Sequence, residues 1–210
     1  MANIRGISIK AVKHFIGTEG PAYQGNIYIG SKKVAFWSQD GNGGPDWFEM
    51  MNGFSKKKLV EAMKPYVDQK SIELKIIDES FMYNLLWLSQ SEKEFKKVQK
   101  KGYKAMLEVT DGFHVTNYYY PDVPNCTAEA LFMSIKDDIK DKFFKNAEIK
   151  YHLYKDISDF SIGEPITVAE IQNYEETYER VLLFPWIKSM RKLSHTRKRK
   201  GIVTKSALGC

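Results

Sequence analysis

Two stretches of this sequence carry residues whose types and spacing can do chemistry. The first is the C-terminal run Lys188, Arg191, Lys192, Arg197, Lys198, Arg199, Lys200 and Lys205, which contains no acid. Arg197 to Lys200 form a compact cation cluster, and each phosphate such a cluster neutralises releases counterions. Ser189, Ser194, Thr196, Thr204 and Ser206 stand among these cations and can add hydrogen bonds to phosphate oxygens. The second stretch is the loop Gln39-Asp40-Gly41-Asn42-Gly43-Gly44-Pro45-Asp46, which lies between Trp37 and the pair Trp47-Phe48. Asp40, Asn42, Asp46 and Glu49 offer hard oxygen atoms of the kind that Ca²⁺ and Mg²⁺ take. The loop departs from an EF-hand pattern, because Gly44 stands where the third ligand belongs. No Gly-Lys-Ser/Thr follows it, so it is not a phosphate cradle. Besides a Ca²⁺ or Mg²⁺ site on these oxygens, two readings of the loop remain. In one, Trp37, Asp40, Asn42, Asp46, Trp47 and Phe48 form a partner-binding surface with the tryptophans as anchors. In the other, it is a tight connection between strands whose aromatics pack on the core.

The remaining reactive residue types are dispersed. His14, His114, His152 and His195 have no Cys or second His at ligand spacing, which argues against zinc. Cys126 precedes a helix start, where a thiol can be activated, but a small buried residue beside a cap fits the same place. Glu108 and Asp111 lie near His114 in sequence, an acid/base grouping that a chain with 26 acids supplies without selection for chemistry. The run Tyr118-Tyr119-Tyr120, with Phe113 nearby, can stack unpaired bases if its strand is exposed, or fill a core. No nucleophile elbow, HExxH or kinase signature is present. The sequence therefore assigns no catalytic residue, no metal ligand and no cofactor.

The charge is strongly asymmetric. The chain has 210 residues and a formal net charge of +6. Positions 1–187 hold 24 basic and 26 acidic residues, a net of −2, so the whole basic excess lies in 188–210. This distribution points to a polyanionic partner for the tail rather than for the body. Of the 32 basic residues 27 are Lys, a bias that suits an AT-rich genome such as that of a low-GC bacterium or its phage. An apolar content of 43% and a charged content of 28% are those of an ordinary globular chain, and exclude a mostly disordered or collagen-like one. No signal-peptide pattern and no apolar run near the roughly 20 residues of a membrane span are visible. The expected setting is cytoplasmic, with no membrane partner.

These residues must be positioned by elements that the periodicity predicts. Ile7, Ile9 and Ala11 mark a first strand, and Asn26–Ile29 and Lys33–Trp37 flank Gly30-Ser31, a type II′ hairpin signal. Ser55 caps a helix over 56–64 that Pro65 limits. Ile72, Leu74 and Ile76 alternate as in a short strand. A helix follows over 81–101, with a capping box at Ser91 and Glu94 that predicts a break near 90, and Gly102 ends it. Asp111-Gly112 joins two strands, and a three-residue turn setting Val109 opposite Val115 gives the more apolar inner face. Thr127 caps an amphipathic helix lined by Leu131, Ile135 and Ile139. Ile149, Tyr151 and Leu153 form another strand. Thr167 and Glu170 box the start of a last helix, which carries Tyr174, Tyr178, Val181 and Leu182 inward.

The order is irregular, so the expected fold class is α+β: a mixed, mainly antiparallel sheet with an N-terminal three-stranded meander and a central hairpin, packed with about four helices. The expected organisation is a single body over 1–187, with a sub-boundary near 52–56, followed by the basic tail 188–210. The expected function is that of a non-enzymatic nucleic-acid-associated protein, encoded by a phage or mobile element, that binds polyanion through its tail. One alternative is an interaction or inhibitor protein that docks on a host protein, for example a defence nuclease, through the glycine-rich Trp37–Phe48 loop. A second is a Mg²⁺-dependent enzyme acting on nucleic acid.

Overall fold

The computed structural model describes residues 1–112, 114–123, 125–139, 142–143 and 148–172. The basic tail, the helix expected beyond 172 and the ring of Phe113 lie outside the described residues. The fold is α+β, with nine strands and five α-helices among the described residues.

Alternation and turn chemistry build the N-terminal sheet. β1 (Asn3–Ile4) turns into β2 (Ile7–Ile16) through Arg5 and Gly6, both at positive φ. β3 (Pro21–Ile29) and β4 (Lys32–Gln39) are joined by Gly30-Ser31, with Gly30 at φ 58° and Ile29 opposite Lys32, the expected two-residue turn. β5 (Trp47–Met50) pairs with β4. The strand order of this six-stranded sheet is β5-β4-β3-β2-β1, with the short β9 (Ser161–Ile162) added in parallel to β1. Ile7, Ile9, Ile27, Ile29 and Trp37 point to one side and are buried.

That side is covered by helices. α1 (Lys56–Met63) is N-capped by Ser55, whose Oγ accepts from the Lys58 amide. Pro65 stands in a 3₁₀ turn at Lys64–Tyr66. The alternation at 72–76 does not form the expected strand. Instead α2 (Gln69–Glu73), capped by Asp68 through the Ser71 amide at 2.7 Å, runs to Glu73, and residues 74–76 turn into the next helix with Lys75 at a left-handed φ of 59°. α3 (Ile77–Gln99) is one unbroken helix of 23 residues. The expected break at 90 is absent because the polar residues of the supposed capping box have tertiary partners. Ser91 donates to Glu108, Glu92 accepts from the Ala2 amide at 2.7 Å, and Glu94 accepts from the Tyr119 hydroxyl at 3.0 Å. Gly102, at φ 92°, lets the chain leave the helix.

β6 (Ala105–Thr110) is the centre of a second, three-stranded antiparallel sheet, between β7 (Val115–Tyr120) and β8 (Lys150–Tyr154). Thr110 pairs with Val115 and Val109 with Thr116, so Asp111–His114 form the connection and the three-residue register is not adopted. The reason is local: Asp111 accepts from the His114 amide at 2.7 Å and its own amide donates to the His114 carbonyl at 3.3 Å, which closes a longer loop. β6 is buried on both faces. Leu107 and Val109 pack on Leu131, Ile135 and Ile139 of α4 (Ala128–Ile139), which Thr127 caps through the Ala130 amide. Met106 joins the larger core instead, with Phe81, Leu85 and Phe95 of α3. α3 is thus held between the two sheets. Tyr154 stacks on Phe160 with ring centroids 4.3 Å apart, which carries this core across to the C-terminal segment. α5 (Val168–Ile171) starts at the expected Thr167–Glu170 capping box.

Candidate functional site

The pairing of β2 to β5 places alternate residues on a face that no helix covers among the described residues. One cross-strand row is Ser8, Tyr28 and Lys33; the next is Lys10, Asn26, Phe36 and Glu49; the third is Lys13, Gln24, Ser38 and Trp47. Tyr28 and Phe36 are half-buried and belong to neither hydrophobic core, and Trp47 is 65% exposed. The Lys10 ammonium sits over the Tyr28 ring, 4.4 Å from its centroid. The face therefore presents three aromatic rings on neighbouring strands, with Lys10, Lys13 and Lys33 among them and the single acid Glu49. Adjacent strands are about 4.8 Å apart, so flat groups can be received side by side on such a surface.

The glycine-rich loop is built differently from a ligand loop. The Asp40 carboxylate accepts from the Asn42 amide at 2.9 Å, and Asn42 Oδ1 accepts from the Thr18 amide at 3.2 Å. Asp46 Oδ2 accepts from the Trp37 indole at 2.6 Å. The loop packs on the neighbouring turn at 17–20, where the Glu19 amide donates to the Gly41 carbonyl at 2.9 Å. A Cβ on Gly41, which has φ 70°, would come 2.6 Å from the Gly20 carbonyl oxygen, and one on Gly17 would overlap the Asp40 carbonyl. These glycines serve the contact between the two turns. Trp37 and Phe48 are core residues, 3% and 9% exposed, so Trp47 alone of the three aromatics offers its ring to a partner. The half-buried Asp46 carboxyl is pushed up to about 6, first by burial and then by Glu79 and Asp78, against the Trp37 hydrogen bond and Lys56. Among the described residues, no group of three or more His, Cys, Asp and Glu is placed to hold a metal ion.

Glu108 forms the second polar centre. It lies on β6, 2% exposed, and faces α3 rather than the Asp111–His114 pair. Oε1 accepts from the Trp87 indole at 3.0 Å and faces the Tyr154 hydroxyl at 3.5 Å, and Ser91 donates to Oε2. Burial, and then the Glu108 charge, pushes the Tyr154 hydroxyl far above its usual range, so it remains a donor. Glu108 and Trp87 border two cavities, of about 450 Å³ and about 320 Å³. His114 is separate, with Nδ1 3.1 Å from the Asp111 carboxylate.

Comparison with protein-family models, curated proteins and solved structures gives no match. The functional reading therefore rests on the sequence and the geometry. Among the described residues no helix is long and apolar enough to cross a membrane.

The tail cations Lys188 to Lys205 lie outside the described residues. The tyrosine run is not an open platform. Tyr118 and Tyr120 pack against the smaller core, Tyr119 against the larger one, and Lys142 lies over Tyr118, 5.2 Å from its centroid. Tyr28, Phe36, Lys10 and Lys13 were missed as site residues. The signal for three of them was present: once Ile7, Ile9, Ile27, Ile29 and Trp37 are assigned inward, Lys10, Tyr28 and Phe36 must point outward, whereas Lys13 joins them only through the register shift after Lys10.

Proposed function

We propose that this protein is a non-enzymatic nucleic-acid-associated protein that holds single-stranded nucleic acid. In this reading the outer face of β2–β5 stacks bases, and the tail Lys188–Lys205 neutralises backbone phosphates. The observation that supports it is the outer face itself, where Tyr28, Phe36 and Trp47 stand in successive rows with Lys10, Lys13 and Lys33. Aromatic rings tolerate any base, and lysines track a backbone without reading sequence, so the expected binding has little sequence preference. A cytoplasmic setting and a phage or mobile-element origin belong to the same proposal, the latter supported by the excess of Lys over Arg.

Titration of a fluorescently labelled oligothymidine, read by anisotropy, tests the stacking. Trp47→Ala and Tyr28→Ala are each expected to weaken binding about tenfold, the loss of one base–aromatic stack. Unchanged affinity in both variants would overturn the role of the face. The exposure of Trp47 also favours a second reading, docking on a host protein, which would respond to Trp47→Ala but tolerate salt.

A further inference from the structure

We propose that the larger cavity beside Glu108 binds a small zwitterion, with a guanidinium or ammonium group at the Glu108 floor and an anionic group at the rim. The inference is independent of the nucleic-acid reading, since the cavity is walled mainly by α3, β6 and β8, with Ile4, Tyr66, Asp159 and Ile162 at its edges, and by none of the outer-face residues.

Charge is the first argument. Glu108 is a buried carboxylate whose hydrogen-bond donors are all neutral: Trp87, Ser91 and Tyr154. No Lys, Arg or His nitrogen among the described residues lies within ion-pair distance of it. A buried charge without a countercharge is costly, and a bound cation removes that cost. Oε2 carries a single donor, Ser91, and so keeps acceptor capacity for the ligand.

The walls give the second argument. Tyr66, Tyr83 and Trp87 line the cavity; the Arg5 guanidinium already stands over the Tyr66 ring, 5.9 Å from its centroid, and the rings of Tyr83 and Trp87 attract a cation that has left water. A volume of about 450 Å³ lies within the usual range for small-molecule sites. Asn117 Oδ1, buried without a donor, lines the smaller cavity that Glu108 and Trp87 also border. It belongs to that neighbouring cavity and is not among the residues that line the larger one.

The rim supplies the opposite charge. Lys150, His152 and Asp159 are exposed and line the same cavity, whereas Glu108 and Tyr154 are buried in it; Asp159 Oδ2 already accepts from the Lys155 and Asp156 amides, which leaves the Lys150 ammonium to meet an anionic group. A ligand that is cationic at one end and anionic at the other is therefore matched at both ends.

Isothermal titration of the full-length protein with three related probes tests this. Arginine carries both charges, agmatine lacks the carboxylate, and citrulline replaces the guanidinium with a neutral urea of the same shape. Arginine is expected to bind, agmatine several-fold more weakly, and citrulline not at all. Glu108→Gln should weaken arginine by at least about tenfold. Tyr83 is 53% exposed, so Tyr83→Ala leaves the core intact and should weaken arginine about threefold to fivefold. Lys150→Ala should bring arginine down to the affinity of agmatine. The proposal is overturned if citrulline binds as well as arginine, if none of the probes binds at millimolar concentration, or if Tyr83→Ala and a folded Glu108→Gln both bind arginine like the parent protein.

Discussion

Replacing Asp46 by Asn should stabilise the protein at neutral pH, although Asp46 makes a short hydrogen bond. Its Oδ2 accepts from the Trp37 indole at 2.6 Å, and an Asn oxygen can take the same proton. What the substitution removes is a charge held in a half-buried place beside Asp78 and Glu79. In the folded protein the carboxyl is raised from 3.8 to about 6, chiefly by burial. Because the folded value lies above the unfolded one, the group favours the fold most below pH 3.8, and that advantage is lost as pH rises to about 6. Two units correspond to about 3 kcal/mol at full weight, and partial exposure to solvent reduces this to about 1–1.5 kcal/mol. Asp46→Asn should therefore be more stable by about 1–1.5 kcal/mol at pH 7.5, or roughly 2–5 °C in Tm. The difference should shrink toward zero near pH 4. Urea denaturation followed by circular dichroism between pH 4 and 8 measures it, with an unchanged m-value as the control. A variant that is less stable at pH 7.5, or a difference that does not vary with pH, would refute the reasoning. Stabilisation of the parent protein, but not the variant, by Mg²⁺ would refute it in another way, by making Asp46 a ligand.

Gly41→Ala should destabilise by at least about 2 kcal/mol in the same assay, because it combines a left-handed φ of 70° with a clash on the Gly20 carbonyl. Gly30, also at positive φ but with open space around it, should lose only the conformational part when replaced by Ala, about 1 kcal/mol. Phe160→Ala empties a site packed between Phe95 and Tyr154 and should cost about 3–5 kcal/mol by chemical denaturation. Ser91→Ala takes one of the neutral donors from Glu108 and should cost about 1–3 kcal/mol, more than an ordinary Ser→Ala change on a helix.

The elements that could be read from sequence are those whose signal is local. The meander declared itself through alternation and through Gly30-Ser31, and α4 through its apolar stripe and Thr127. The misread elements are those where a distant partner outweighed a local pattern. Ile72, Leu74 and Ile76 alternate like a strand, yet Ile72 lies in a helix capped by Asp68, Leu74 ends that helix and Ile76 begins the next. Ser91 and Glu94 have the spacing of a capping box, yet Glu108 and Tyr119 claim their side chains, and α3 runs on. The parallel pairing of β1 with β9 joins Asn3 to Ser161, and no sequence spacing announces it. The same distinction holds for the sites. Tyr28, Phe36 and Lys10 follow from strand parity, whereas Lys13 and Lys33 reach the outer face through register shifts in β2 and β4 that alternation does not show. The Glu108 centre requires Trp87, Ser91 and Tyr154 to be gathered from α3 and β8, so Glu108 in the sequence was one acid among many.

The salt dependence of single-stranded nucleic-acid binding tests the central claim most directly. If about five cations meet phosphates, log affinity against log salt should fall with a slope of about −3.5 on oligothymidine. Neutralising Arg197, Lys198, Arg199 and Lys200 together should flatten that slope, whereas Trp47→Ala should lower affinity at every salt concentration and leave the slope unchanged. Binding that is equal in the parent and both variants, or absent at low salt, would contradict the account and leave docking on a protein partner in its place.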